Sequence, residues 1–130
     1  METIGANSLQ QSVEARQLVT MDSISSVAKS LGALRVAEQA LIEALECNVV
    51  TGVVSDEEAV ESVFRFAEDH QMLVEPACGA SLAPMYNTIL LSRLLERTTE
   101  SLQNICVVVC GGNMTKMPFD FSSRRRSTIH

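Results

Sequence analysis

Apolar positions along the chain change period several times, and each change marks an element. Leu9 and Val13 stand at helical spacing, so Ser8–Arg16 is expected to form a short amphipathic helix. Ser23–Gly32, "SISSVAKSLG", is rich in serine and reads mostly as loop. Val36, Ala37, Ala40, Leu41, Ala44 and Leu45 then repeat at three and four, the signature of a helix. Val49, Val50, Val53 and Val54 make Val49–Val54 a short β-branched run, which predicts a strand. Ser55 followed by Glu58 is a capping box, in which the hydroxyl accepts from the Glu58 amide and the carboxylate reaches back. Behind it Ala59, Val60, Val63, Phe64 and Ala67 form one apolar stripe, predicting a helix to about Asp69. Leu73–Val74 read as briefly extended, followed by a long helix over Ala77–Arg97 and a strand over Ile105–Cys110. Met1–Thr3 is too short to read as an element, and Gly5 marks a turn. Alternating strands and helices predict an α/β fold, part of a parallel sheet flanked by helices.

Three residues of the long helix carry local meaning. Pro76 sits near the first turn, where its missing N–H costs nothing. Gly79 lacks a side chain, so either another backbone or a ligand has room to approach; a tight helix–sheet contact is the simpler reading. Pro84 lies within the helical pattern, removes one hydrogen bond and is expected to kink the helix, at a cost of ~3 kcal/mol in an unprepared helix.

Composition narrows the class. Of the 130 residues, 46% are hydrophobic, enough for a packed core. Apolar runs such as Ile89–Leu91 and Cys106–Cys110 are far too short to cross a bilayer, and Met1-Glu2-Thr3 does not open a secretory signal. Four cysteines without such a signal predict reduced thiols and a cytoplasmic protein. The Cys106 and Cys110 pair lacks a histidine cluster to complete a metal site, so both read as plain core thiols. The net charge of −6 is uneven: residues 1–116 carry 7 Lys/Arg against 15 Asp/Glu, and residues 117–130 carry 3 Arg against 1 Asp. An acidic body repels nucleic acid, and "SSRRRSTIH" reads as a solvated, disordered end.

Four blocks occur in order: "METIGANS" at Met1–Ser8, "LVTMDSISSVAKSLGA" at Leu18–Ala33, "MLVEPACGASLA" at Met72–Ala83 and "VVVCGGN" at Val107–Asn113. Together they resemble the C-terminal part of the L-serine dehydratases and serine dehydratase-like proteins. These are tryptophan-synthase-β-like (fold type II) enzymes that use pyridoxal phosphate. The resemblance implies that residues 1–113 are part of such a domain and that residues 114–130 are a divergent tail. It also implies that Cys110 meets the pyridine nitrogen of the cofactor, with Gly111 and Gly112 leaving room at the ring's edge, and that Ser30 packs on the ring face. A potassium-like monovalent cation is implied at Glu2, Ala6 and Ser8, together with the backbone carbonyls of Leu31 and Ala33. A large hard cation suits a carboxylate and several neutral oxygens. The parent reaction would take L-serine or L-threonine to pyruvate or 2-oxobutanoate with release of ammonia.

The departures are as informative. The lysine that holds the cofactor in this family lies in a Ser-x-Lys motif, and no such triplet occurs here. Nor is there an asparagine loop or a glycine-rich loop for the cofactor phosphate. Lys29 matches a family lysine that is not the Schiff-base residue, and Lys116 lies beyond the resemblance. Three readings follow: a catalytically incomplete portion of a lyase; a non-catalytic protein that pairs with itself as a homodimer or with a full-length relative; and a binding module acting through its basic tail.

Overall fold

The computed structural model describes residues 1–47 and 49–112. The chain opens in a strand that its length hides: β1, Glu2–Thr3, pairs in parallel with β2, Val53–Val54, in the register Glu2↔Val53 and Thr3↔Val54. Two flanking bonds extend the pairing, from the Glu2 amide to the Gly52 carbonyl and from the Ile4 amide to the Val54 carbonyl, both at 2.9 Å. The expected strand Val49–Val54 is therefore cut to its last two residues. Pairing reaches only as far as β1 supplies a partner, and Val49 and Val50 stay exposed.

A parallel pair needs a long crossover. Here it contains α1 (Ser8–Ala15), a 3-10 turn at Lys29–Leu31 and α2 (Glu38–Glu46). The face of α1 differs from expectation. Its buried residues are Ser8 and Ser12, while Leu9 and Val13 are half-buried. The hydroxyls are tolerated inside because each is bonded: Ser12 Oγ donates to the Ser8 carbonyl at 2.6 Å and accepts from the Val19 amide at 3.0 Å.

Helix α3 (Asp56–His70) starts as its sequence demands. Ser55 Oγ accepts from the Glu58 amide at 3.1 Å, and Glu58 Oε2 accepts from the Ser55 amide at 2.9 Å. Its buried face holds Ala59, Ser62, Val63, Phe64 and Phe66.

The long helix expected over Ala77–Arg97 is two helices, α4 (Pro76–Tyr86) and α5 (Thr88–Leu95). Pro84 remains inside α4, and the break comes three residues later at Asn87, whose backbone is not helical. Asn87 Oδ1 accepts from the Leu90 amide at 3.1 Å and so caps α5. A side chain that satisfies orphan amides stabilises a fresh helix start, and Pro84 has already weakened the turn before it.

Helix α4 is the centre of the fold. Pro76, Ala77, Cys78, Gly79, Ala80, Leu82, Ala83 and Pro84 are all buried, so it is apolar on every side, as a helix covered all round must be. One face joins Val54, Ala59 and Leu90; another, through Cys78 and Leu82, joins Val63, Phe66 and Val74. Gly79 makes a close contact, but with a helix rather than the sheet. A Cβ at Gly79 would strike the Ala59 carbonyl oxygen and come within 2.8 Å of Val63 Cγ2.

The expected strand Ile105–Cys110 joins no sheet among the described residues. Its β-branched residues favour extension, but a ladder needs a neighbour, and the described sheet holds only β1 and β2. The tail expected over 114–130, Lys116 included, lies outside the described residues.

Two outcomes follow from the α4 packing. Gly79→Ala should lower stability by about 1–3 kcal/mol through overpacking, read as a lower urea midpoint; an unchanged midpoint would mean that α3 and α4 separate freely at this point. Burial also raises the Cys78 thiol above its ordinary 9.0, opposed by the Cys110 amide that points at the sulfur. The unfolded thiol then ionises first. The contribution of Cys78 is full below pH 9.0 and lost as pH rises through the higher folded value. Stability plotted above pH 9 should fall less steeply for Cys78→Ala than for the parent chain, whatever the offset between them.

Candidate functional site

The residues from Cys110 to Gly112 are held by the start of α4. The Cys110 amide donates to Cys78 Sγ at 3.3 Å, and the Gly111 carbonyl accepts from the Glu75 amide at 3.2 Å. Gly111 has φ +72°, a conformation that favours glycine, and a Cβ there would collide with the Glu75 carboxylate. Its lack of a side chain is thus explained by its own backbone and by Glu75. Gly112 differs: the nearest atom to a Cβ there is the Leu73 carbonyl oxygen at 3.5 Å, an ordinary contact without a clash. Cys110 itself is exposed, which corrects its reading as a plain core thiol; Cys106 is exposed too, and the buried cysteine is Cys78. Ser30 is exposed on the 3-10 turn, which packs against α4. Both parts of the expected ring contact therefore rest on one helix.

Of the five residues expected around a cation, Ser8, Ala33 and Leu31 are linked by hydrogen bonds at the end of that turn. Ser8 Oγ donates to the Ala33 carbonyl at 2.7 Å, and the Ala33 amide donates to the Leu31 carbonyl at 3.0 Å. Glu2 accepts two amides at the start of α1, from Leu9 at 3.0 Å and from Gln10 at 2.8 Å. A carboxylate there is favoured by the helix dipole and by the orphan amides it satisfies. Ala6 is buried, and its amide donates to the Thr3 carbonyl at 2.9 Å.

Two features escape a reading of the sequence. Ser26 Oγ donates to Asp56 Oδ1 at 2.5 Å and accepts from Thr3 Oγ1 at 2.7 Å and from the Ala28 amide at 3.0 Å. The other oxygen of Asp56 accepts from the Val27 amide at 3.0 Å. This network ties β1, the serine-rich loop and the start of α3 together, and it fixes the approach to the turn that bears Ser30. In sequence Asp56 looks like any first-turn acid, and no local pattern links it to Thr3. Glu75, whose carboxylate lies against Gly111, likewise reads only as the residue before a helical proline.

An apolar cleft of about 290 Å³ lies between α4, α5 and the segment from Ile105 to Val108, with Pro84, Leu91 and Leu94 among its walls. Neither Cys110 nor Ser30 lines it.

The chain is similar in sequence and fold to known proteins. The chain is 51% identical over 114 residues to the serine dehydratase-like protein of Mus musculus, and 42% identical over 114 residues to the L-serine dehydratase/L-threonine deaminase of Homo sapiens. Each match covers 87% of this chain and 35% of the relative, so the chain spans about a third of the length of these proteins. Among solved structures it is similar to a fungal L-serine ammonia-lyase from Rhizomucor miehei, with TM-score 0.60 and 36% identity over 75% of this chain and 31% of that one. Maize serine racemase shares the fold at TM-score 0.70 and 24% identity, over 97% of this chain and 37% of its own. The sequence profile of the pyridoxal-phosphate dependent enzymes runs through residues 1–111, from β1 through the crossover and α4 to the glycine after Cys110, and the chain belongs to that family.

Proposed function

We propose that this chain supplies the ring-nitrogen side and the monovalent-cation site of a cytoplasmic L-serine or L-threonine ammonia-lyase, and that alone it is catalytically incomplete. The observation that carries the reading is the exposed Cys110, set beside Gly112, where a side chain would meet only ordinary contact, and supported by α4. When bound, pyridoxal phosphate withdraws electrons from the substrate's α-carbon, so that loss of water and then of ammonia gives pyruvate or 2-oxobutanoate.

The residues present fit one end of that group. A neutral thiol at Cys110 is a weak hydrogen-bonding partner for a pyridine nitrogen and does not keep it protonated, as an aspartate there would. Weak withdrawal suits elimination, in which the leaving hydroxyl accepts the electrons at once. Ser30 offers a small side chain to the ring face. The cation would take the carboxylate of Glu2, the hydroxyl of Ser8 and the carbonyls of Ala6, Leu31 and Ala33, all oxygen donors. The phosphate end has no counterpart: Lys29 sits exposed on the 3-10 turn, and no glycine-rich cradle stands in the sequence.

A second reading has its own support. Ile105 is 49% exposed, Val108 71% and Val109 43%, on a segment with no ladder partner among the described residues. An unpaired apolar run is a template for association, which fits a non-catalytic chain that pairs with a copy of itself or with a full-length relative. The described helices, for their part, include none long and apolar enough to cross a membrane. The binding-module reading rests on the arginine tail, which lies outside the described residues.

Two measurements test the proposal. The purified chain mixed with pyridoxal phosphate should retain no cofactor on any lysine after borohydride and should not turn over L-serine. Fused to the missing family segment it should gain both, with Cys110→Asp altering the cofactor absorbance and Cys110→Ser leaving it nearly unchanged. Identical spectra for the two variants at matched occupancy would remove Cys110 from the ring. For the cation, potassium chloride should raise the melting temperature of the chain above that in lithium chloride at equal ionic strength, and Glu2→Gln should abolish the difference; equal melting in both salts would count against the site.

A further inference from the structure

The buried thiol of Cys78 has no part in the proposed chemistry, yet it is the group nearest the Cys110 backbone that the structure shows bonded to it. We propose that Cys78 and Cys110 form a reversible dithiol–disulfide pair, a modification site closed by oxidation with a small-molecule disulfide such as oxidised glutathione.

Geometry makes the pair reachable. With Cys78 Sγ at 3.3 Å from the Cys110 amide nitrogen, bonded geometry limits the two Cα atoms to roughly 7.5 Å apart, close to the window of about 4.4–6.8 Å in which disulfides form. What adjustment remains falls on the segment before Cys110, which carries no ladder to resist it. Cys78 sits on a packed helix and cannot move far.

The two thiols differ in a way that orders the reaction. Cys110 is exposed and meets the oxidant first; Cys78 is buried, and burial holds its thiol protonated. The Cys110 thiolate attacks one sulfur of oxidised glutathione, forming a mixed disulfide and expelling one glutathione thiolate. Cys78 then attacks the Cys110 sulfur, and its proton passes to the second glutathione sulfur, which leaves as the thiol. One glutathione disulfide is reduced to two thiols, and two protein thiols become one disulfide. The competing cysteines, Cys47 and Cys106, are both exposed, so they take up glutathione without a buried partner to resolve it.

If Cys110 meets the cofactor as proposed above, this bond removes the proton that its sulfur would share with the ring nitrogen. That consequence rests on the functional reading; the disulfide does not, and its test needs no cofactor.

The test treats the purified 130-residue chain with oxidised glutathione, alkylates the remaining thiols, and maps cross-linked peptides by mass, in native buffer and in guanidinium. In native buffer a Cys78–Cys110 peptide should dominate, with loss of two hydrogens, and glutathione on Cys110 should be transient. Cys78→Ser should leave glutathione trapped on Cys110, and Cys110→Ser should leave Cys78 unmodified. Persistent glutathione on Cys110 of the parent chain, or a native cross-link pattern no different from that in guanidinium, would overturn the proposal. The native–denatured comparison needs no variant, so it decides the matter even where Cys78→Ser fails to fold.

Discussion

The packing of the second half of the described chain depends on how closely α3 and α4 cross. At the crossing a glycine faces a carbonyl: Gly79 of α4 lies against the Ala59 backbone, with Ala80 and Ala83 continuing the small-residue face. Helix separation depends on the side chains at the contact, and here a glycine meets backbone. The consequence is positional. Cys78 and Glu75 are fixed at the start of α4, and they in turn hold the backbone of Cys110 and Gly111. A bulkier crossing would displace the support on which the candidate ring contact rests.

Polar ties do for the first half of the chain what packing does for the second. Thr3, Ser26 and Asp56 connect three segments far apart in sequence, and Glu2 ties β1 to the start of α1. Among the described residues every buried side-chain nitrogen and oxygen has a partner. Burying a hydroxyl without one costs about 1–3 kcal/mol, and a carboxylate more, so the members of such a network support one another. Separate bonds tie Ser8 to the Ala33 carbonyl and the Glu2 carboxylate to the start of α1.

What the sequence reveals follows the range of the forces involved. The capping box at Ser55 and Glu58 is a matter of four residues, and it forms as read. The apolar stripe of α3 and the proline at the head of α4 are legible for the same reason. The α/β class and the family are legible through blocks whose spacing survives as motif. Apart from Asn87, whose partner is three residues away, the misreadings are cases where a distant partner decides. Leu9 and Val13 suggest an apolar face for α1, but Ser8 and Ser12 turn inward because Ala33 and Val19 offer them bonds. Asn87 reads as a helical position until its side chain is seen capping α5. The run of valines within Ile105–Cys110 reads as a strand, yet strandness belongs to a pair. Of the candidate site, the residue identities came from motif, whereas the roles of Glu75 and Cys78 beneath Cys110 and Gly111 had no signal in the sequence.

The pairing of β1 with β2 also sets an order in time. Glu2 and Val53 are about 50 residues apart, and the entropy of closing a loop grows with its length, as (3/2)RT ln n. The contacts of α3 with α4 span far less chain, so they form at lower entropic cost and can stand before β1 arrives. During synthesis Glu2 and Thr3 are made about 50 residues before the strand with which they pair. Until β2 has been made, Glu2 and Thr3 have no strand to join, and the residues read here as a cation site remain unassembled.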